Sequence, residues 1–213
     1  ELRKILEHRT QELIEYQNLS YAKEYMIFVG NTFEKEQKIR SSSELSQNVA
    51  KYLFKLMATK DEYEVARLSL KVELDSAIDK EFGKSAKISY MLHPPFLKAL
   101  ENIPIINMLP GVRSKLALGS WFKVFYVMLK NMKFLRGTPL DFMSWFSMDV
   151  RKADSKLLNF YKDSINNRLD LIANGEYNNL IEFSKLPDIV RGYEEVRLKT
   201  VEEFYNKANK ILK

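Results

Sequence analysis

Apolar positions recur near the helical period through most of the chain, and the stretches where they stop recurring mark its joints. Leu2, Ile5, Leu6, Leu13, Ile14, Tyr21 and Tyr25 fall close to that repeat and predict a long amphipathic helix over about residues 1–29. From Gly30 to Ser43 the pattern fades into polar residues, as in a linker or a frayed helix end. Ser41 then stands three residues before Glu44, the spacing of a capping box in which hydroxyl and carboxylate take amides otherwise left without partners. A helix over 44–58 follows, with Val49, Leu53, Leu56 and Met57 on one face. Thr59, three before Glu62, repeats the box, and Asp61 is well placed against a positive helix end. Either two helices meet at Thr59 or one runs from 44 to about 82.

Between Gly83 and Gly119 the pattern changes. KISYMLHPPF alternates like a short strand, and Pro94, Pro95, Pro104 and Pro110 forbid a long helix, which predicts an irregular excursion with at most a short β pair. WFKVFYVMLKNMKFL then reads as a strongly apolar helix stopped by Gly137. In GTPLD, Thr138 is placed to cap a new helix, Pro139 suits its first position and Asp141 complements its first amides. A helix over about 144–173 carries Phe146, Val150, Ala153, Leu157, Phe160, Ile165, Leu169 and Ile172, and ANGEYNN ends it. LPDIV opens another helical stretch, and after Gly192 a last helix is expected to turn Tyr193, Val196, Phe204, Ala208 and Ile211 inward. The expected fold is mainly α: a single multi-helix domain over 1–213 with an irregular, proline-containing, basic segment at 83–119.

Composition agrees with a folded chain. Its 213 residues are 46% hydrophobic and 12% aromatic, enough to bury a core, and no apolar run is long enough to span a membrane. The absence of cysteine excludes disulfides, cysteine-type zinc sites and the usual iron–sulfur ligation. The chain opens on ELRKILEHR, without a methionine or the character of a signal peptide, and reads as a piece of a longer cytoplasmic protein.

Charge is unevenly placed. Residues 83–136 hold nine Lys and Arg against one acid, Glu101, a net +8 within a chain whose total is +6. The basicity belongs to that segment, and Lys84, Lys87, Arg113 and Lys115 are candidate contacts for an acidic partner or a phosphate. No nucleic-acid-binding motif accompanies these bases, and nucleic acid is not an expected partner.

The sequence offers little catalytic chemistry. His8 and His93 are far apart and in no metal-binding pattern, and the glycines form neither a dinucleotide nor a phosphate-binding loop. GxSxG is missing, as is a thiol nucleophile. Asp61, Glu62 and Glu64 form the one acidic cluster that invites a chemical reading, as paired carboxylates or a hard-metal site. Helical spacing favours a structural one: Asp61 and Glu64 face alike, and Arg67 follows Glu64 at the i, i+3 distance of an ion pair. The aromatic and methionine residues of 121–148 exceed what one helix face buries and, with the interleaved lysines, point to a docking surface for another domain, or else to a membrane interface, with docking preferred.

KLMATKDEYEVARL, YMLHPPF, LRGTPLD and LPDIVRGYEEVR, in this order, resemble the C-terminal domain of the large fused indolepyruvate ferredoxin oxidoreductases, a branch of the 2-oxoacid:ferredoxin oxidoreductases. The similarity covers roughly residues 10–212. It departs at Thr59, where family members have Tyr, and at His93, which is displaced by two positions from the family's histidine. The resemblance implies a parent enzyme that oxidatively decarboxylates an aryl 2-oxoacid with thiamine diphosphate, magnesium and iron–sulfur clusters, passing electrons to ferredoxin. Those cofactors would sit in other domains or subunits, since none of their motifs is in this chain. The implied role is non-catalytic: docking on the catalytic domains, or helping to bind ferredoxin or coenzyme A. Asp61, Glu62, Glu64 and Arg67 are then expected to tie helices or domains together. The alternative is a free-standing protein-interaction or membrane-surface module that uses the apolar and basic stretch 116–136.

Overall fold

The computed structural model describes residues 1–83, 89–92, 116–171 and 175–212. It is mainly helical, as expected, with one short β pair among the described residues. The fold divides into two compact units, one made of residues 1–59 and 148–213 and the other of 60–147.

The discontinuous unit holds α1 (Leu2–Tyr16), α2 (Leu19–Ile39), α3 (Glu44–Met57), α7 (Met148–Leu169), α8 (Tyr177–Lys185) and α9 (Glu194–Ile211). The single helix expected over 1–29 is two. Asn18 adopts an extended backbone and its Oδ1 accepts from the amide of Tyr21 at 2.9 Å, starting α2 afresh. Asn18→Ala should cost about 1 kcal/mol, read as a lower urea midpoint by far-ultraviolet circular dichroism.

The expected linker at 30–43 is helical as far as Ile39. Its inward side there carries Thr32 and Glu36, both fully buried, so the apolar period disappears while the helix continues. Thr32 satisfies its hydroxyl locally by donating to the carbonyl of Phe28 at 2.9 Å. The core of this unit is packed by Leu13, Tyr25, Val49, Leu53, Tyr161, Phe183 and Phe204, among others. Phe160, Tyr161, Phe183, Phe204 and Tyr205 form an aromatic cluster in which Phe160 meets Phe204 edge-on. The buried phenols keep partners: Tyr25 donates to the carbonyl of Ala50 at 2.8 Å and Tyr161 to that of Ser184 at 2.9 Å. Burial pushes the pKa of both well above the ordinary phenol range, which keeps them as donors.

Two expectations near the C-terminus need correction. The helix predicted over 144–173 is a 3-10 turn at Phe142–Phe146 followed by α7, and α8 begins inside EYNN, before LPDIV, which itself forms the 3-10 turn Leu186–Ile189. Tyr193 and Val196 are 65% and 57% exposed rather than inward. Tyr193 is the residue before α9, with extended backbone outside the helical period, and Arg197 takes the inward place beside Val196 by pairing with Asp154 at 2.9 Å. Burial raises the Asp154 pKa from its ordinary value, opposed by the Arg197 charge.

The second unit holds α4 (Glu62–Ser69), α5 (Val72–Phe82), β1 (Tyr90–Leu92), β2 (Leu116–Leu118) and α6 (Lys123–Asn131). The break at Thr59 is real, and a further one at Leu70–Lys71 separates α4 from α5. The two strands pair antiparallel, Tyr90 opposite Leu118 and Leu92 opposite Leu116, which is the β pair that the alternating residues suggested. The apolar helix expected after Gly119 is α6 flanked by 3-10 turns at Ser120–Phe122 and Met132–Leu135. α4 packs on α6 around a small core of Tyr63, Ala66, Phe122, Tyr126 and Leu129. Among the described residues no helix is long and apolar enough to cross a membrane.

Candidate functional site

The acidic cluster singled out in the sequence lies at the start of α4. Asp61, not Thr59, is the N-cap: its Oδ1 accepts from the amide of Glu64 at 2.9 Å. The hydroxyl of Thr59 instead meets the Tyr16 hydroxyl at 3.2 Å. Glu62 occupies the first turn, where its charge complements the amides at the helix start.

Asp61 is also one half of a bidentate pair. Arg136 donates from Nε to its Oδ2 at 2.5 Å and from Nη2 to its Oδ1 at 2.9 Å, with both side chains nearly buried. One turn along α4, Glu64 accepts from Arg67 Nε and Nη2, each at 2.8 Å, and the two side chains are only 7% and 5% exposed. The i, i+3 pair read from spacing is therefore present, and it is buried.

A third acid completes the network. Asp141 is fully buried and accepts from the Tyr63 hydroxyl at 2.9 Å, from the amide of Gly137 at 3.1 Å and from the amide of Ser144 at 3.3 Å. The guanidinium of Arg136 lies 5.5 Å from the centre of the Tyr63 ring, which joins the Asp61 and Asp141 ends electrostatically. Gly137 makes the turn between them at φ +77°, a conformation that costs other residues more. Asp141 caps the 3-10 turn Phe142–Phe146; Thr138, expected as the cap, donates its hydroxyl back to the carbonyl of Leu135 at 2.7 Å.

The carboxylates of Asp61, Glu64 and Asp141 are all engaged by donors of the same unit, and among the described residues no group of acids and histidines is arranged to hold a metal ion. The chemistry of this arrangement is attachment. It fixes α4 to the turn at 136–144 by charge-assisted hydrogen bonds in a place largely closed to water. Spacing found Asp61, Glu64 and Arg67; it did not find Arg136, Tyr63 or Asp141 as their partners, because those contacts cross 75 to 78 residues of chain.

The other sites looked for in the sequence resolve differently. His8 is an exposed residue of α1. His93 and the basic candidates Lys84, Lys87, Arg113 and Lys115 lie outside the described residues. The aromatic stretch divides: Phe122 and Tyr126 are core, whereas Trp121, Phe134 and Trp145 are more than 60% exposed.

A buried carboxylate of the other unit, Glu36, has no signal in the sequence. Glu36, on α2, accepts from the amides of Leu45 and Ser46 at 3.0 and 2.9 Å, from the Ser46 hydroxyl, and from the Tyr177 hydroxyl at 2.7 Å. It caps α3 from another helix. The box expected from Ser41 and Glu44 is accordingly not formed, and Ser42 rather than Ser41 accepts from the Glu44 amide.

A family model described as a family of unknown function (DUF6537) matches residues 2–210. No curated protein and no solved structure matches the chain.

Proposed function

We propose that this chain, which belongs to the DUF6537 family, is, on the resemblance of its four motifs, a non-catalytic helical domain of a 2-oxoacid:ferredoxin oxidoreductase of the indolepyruvate branch. In this reading it docks on the catalytic domains or subunits of that enzyme. The thiamine diphosphate, magnesium and iron–sulfur clusters of the parent belong to those other parts, and the basic segment with Lys84, Lys87, Arg113 and Lys115 helps to receive ferredoxin or coenzyme A.

One observation carries the proposal furthest. Two of the four motifs behind the resemblance, KLMATKDEYEVARL and LRGTPLD, supply the two sides of a single network through the Asp61–Arg136 and Tyr63–Asp141 contacts. Asp61, Tyr63, Arg136 and Asp141 of these motifs are accounted for by mutual attachment, with no substrate or cofactor required. Exposed Trp121, Val124, Phe134 and Trp145 in the same unit supply apolar surface of the kind that domain contacts bury.

The test is purification from source cells of the polypeptide that contains residues 1–213, followed by assay with aryl 2-oxoacids, coenzyme A and ferredoxin. The expected result is that these residues travel with thiamine diphosphate, iron–sulfur absorbance and 2-oxoacid-dependent reduction of ferredoxin. Recovery of the chain by itself, apart from that activity, would overturn the reading.

The exposure of Trp121, Val124 and Phe134 also favours a second reading, an interaction or membrane-surface module built on 116–136. Flotation with anionic vesicles separates the two: co-flotation supports the module, and its absence removes the membrane form of it.

A further inference from the structure

Helix α2 buries one side against α1, α3 and α7 and leaves an ordered seam on the other. Ser20, Lys23, Ile27, Gly30, Glu34 and Gln37 follow one another at alternating three- and four-residue steps, the spacing of a helix-pairing seam. Ile27 is 62% exposed, and beside the seam Leu19, Met26 and Phe33 recur every seven residues and are 55%, 47% and 36% exposed. A Cβ added at Gly30 would have nothing within 4 Å, so no close approach among the described residues explains a glycine in the middle of this helix, where it weakens helical structure. Among the described residues, neither Lys23 nor Glu34 has an ion-pair partner in its own chain.

These features become complementary when the helix is laid antiparallel on a second copy of itself. A two-fold axis between residues 28 and 29 sets Ile27 over the gap at Gly30 of the other copy and Lys23 against its Glu34. Ser20 then faces Gln37. A closed two-fold contact repeats each of these pairings twice. The same operation keeps like flanks together, so Met26 of one copy falls next to Phe33 of the other. We infer that the α2 seam is a self-association surface, and that its occupant is the α2 helix of a second copy of this chain. The inference stands on the discontinuous unit alone and is independent of the proposed enzyme.

The experiment is light scattering and sedimentation of the 213-residue chain and of three charge variants, with circular dichroism showing that each is folded. The wild-type chain should have twice the 25.1 kDa mass of one copy. Lys23→Glu and Glu34→Lys should each raise the dimer dissociation constant on the order of tenfold, because each puts two like-charge contacts into the interface. Combining them should restore dimerisation, since exchanging both charges rebuilds both pairs; a surface for a different protein would gain nothing from the exchange. A chain that stays monomeric up to about 0.1 mM, a dimer indifferent to the single reversals, or a double variant that is not restored would each overturn the inference.

Discussion

Arg67→Ala is expected to lower the stability of the unit formed by residues 60–147 by about 3–5 kcal/mol. The Glu64 and Arg67 side chains are both less than a tenth exposed, and removing the guanidinium leaves a carboxylate in the interior with neither its cation nor the two hydrogen bonds it received. Replacing both partners behaves differently, because the desolvation cost of each charge is then removed together with their attraction. Glu64→Leu combined with Arg67→Met should recover most of the loss. The measurement is convenient in this protein. Both of its tryptophans, Trp121 and Trp145, lie in the 60–147 unit, so the urea transition followed by tryptophan fluorescence reports on that unit.

Glu36→Ala should act on the other unit with an effect on the order of 4 kcal/mol. It strips the acceptor from the amides of Leu45 and Ser46, the Ser46 hydroxyl and the Tyr177 hydroxyl in one step, and Glu36 itself is fully buried, so water does not readily replace it. Each buried donor left without a partner costs about 1–3 kcal/mol before relaxation, and the start of α3 is free to fray outward and recover part of it. Glu36→Gln keeps one acceptor oxygen and should lose about half as much. The loss should be seen in the far-ultraviolet circular dichroism transition of the whole chain, with the tryptophan transition of the 60–147 unit less affected.

The same pair of carboxylates shows which parts of this protein were legible in its sequence. Helix α3 was read nearly to the residue, because Val49, Leu53, Leu56 and Met57 are buried at helical spacing and the period is a local property. The Glu64–Arg67 pair was read for the same reason. α2 was lost after Gly30 because its inward face switches from apolar side chains to Thr32 and Glu36, whose burial is made tolerable by hydrogen bonds to Phe28, Leu45 and Ser46. Hydrophobic periodicity has no means of registering a buried carboxylate. The division at Gln17–Asn18 was hidden for the opposite reason: apolar residues stay in period across it, and a single capping side chain makes the break.

The network around Asp61 was half legible. The order of helix, cap and turn signals placed Asp61 and Asp141 each at a local start, and both are caps. Nothing in local spacing joins them to Arg136 and Tyr63, since the Asp61–Arg136 and Tyr63–Asp141 contacts span 75 and 78 residues of chain. KLMATKDEYEVARL and LRGTPLD are separate motifs in the sequence, and the Asp61–Arg136 and Tyr63–Asp141 contacts join them in the fold.

We propose that this network holds the 60–147 unit together and takes no part in a reaction. The direct test is Glu64→Leu with Arg67→Met, followed by the tryptophan unfolding transition of the 213-residue chain and, for the proposed function, by 2-oxoacid-dependent ferredoxin reduction in the polypeptide that contains it. The expected result is an unfolding midpoint close to that of the unaltered protein and an unchanged rate. An unchanged midpoint accompanied by loss of the rate would contradict it and return the acidic cluster to the reaction.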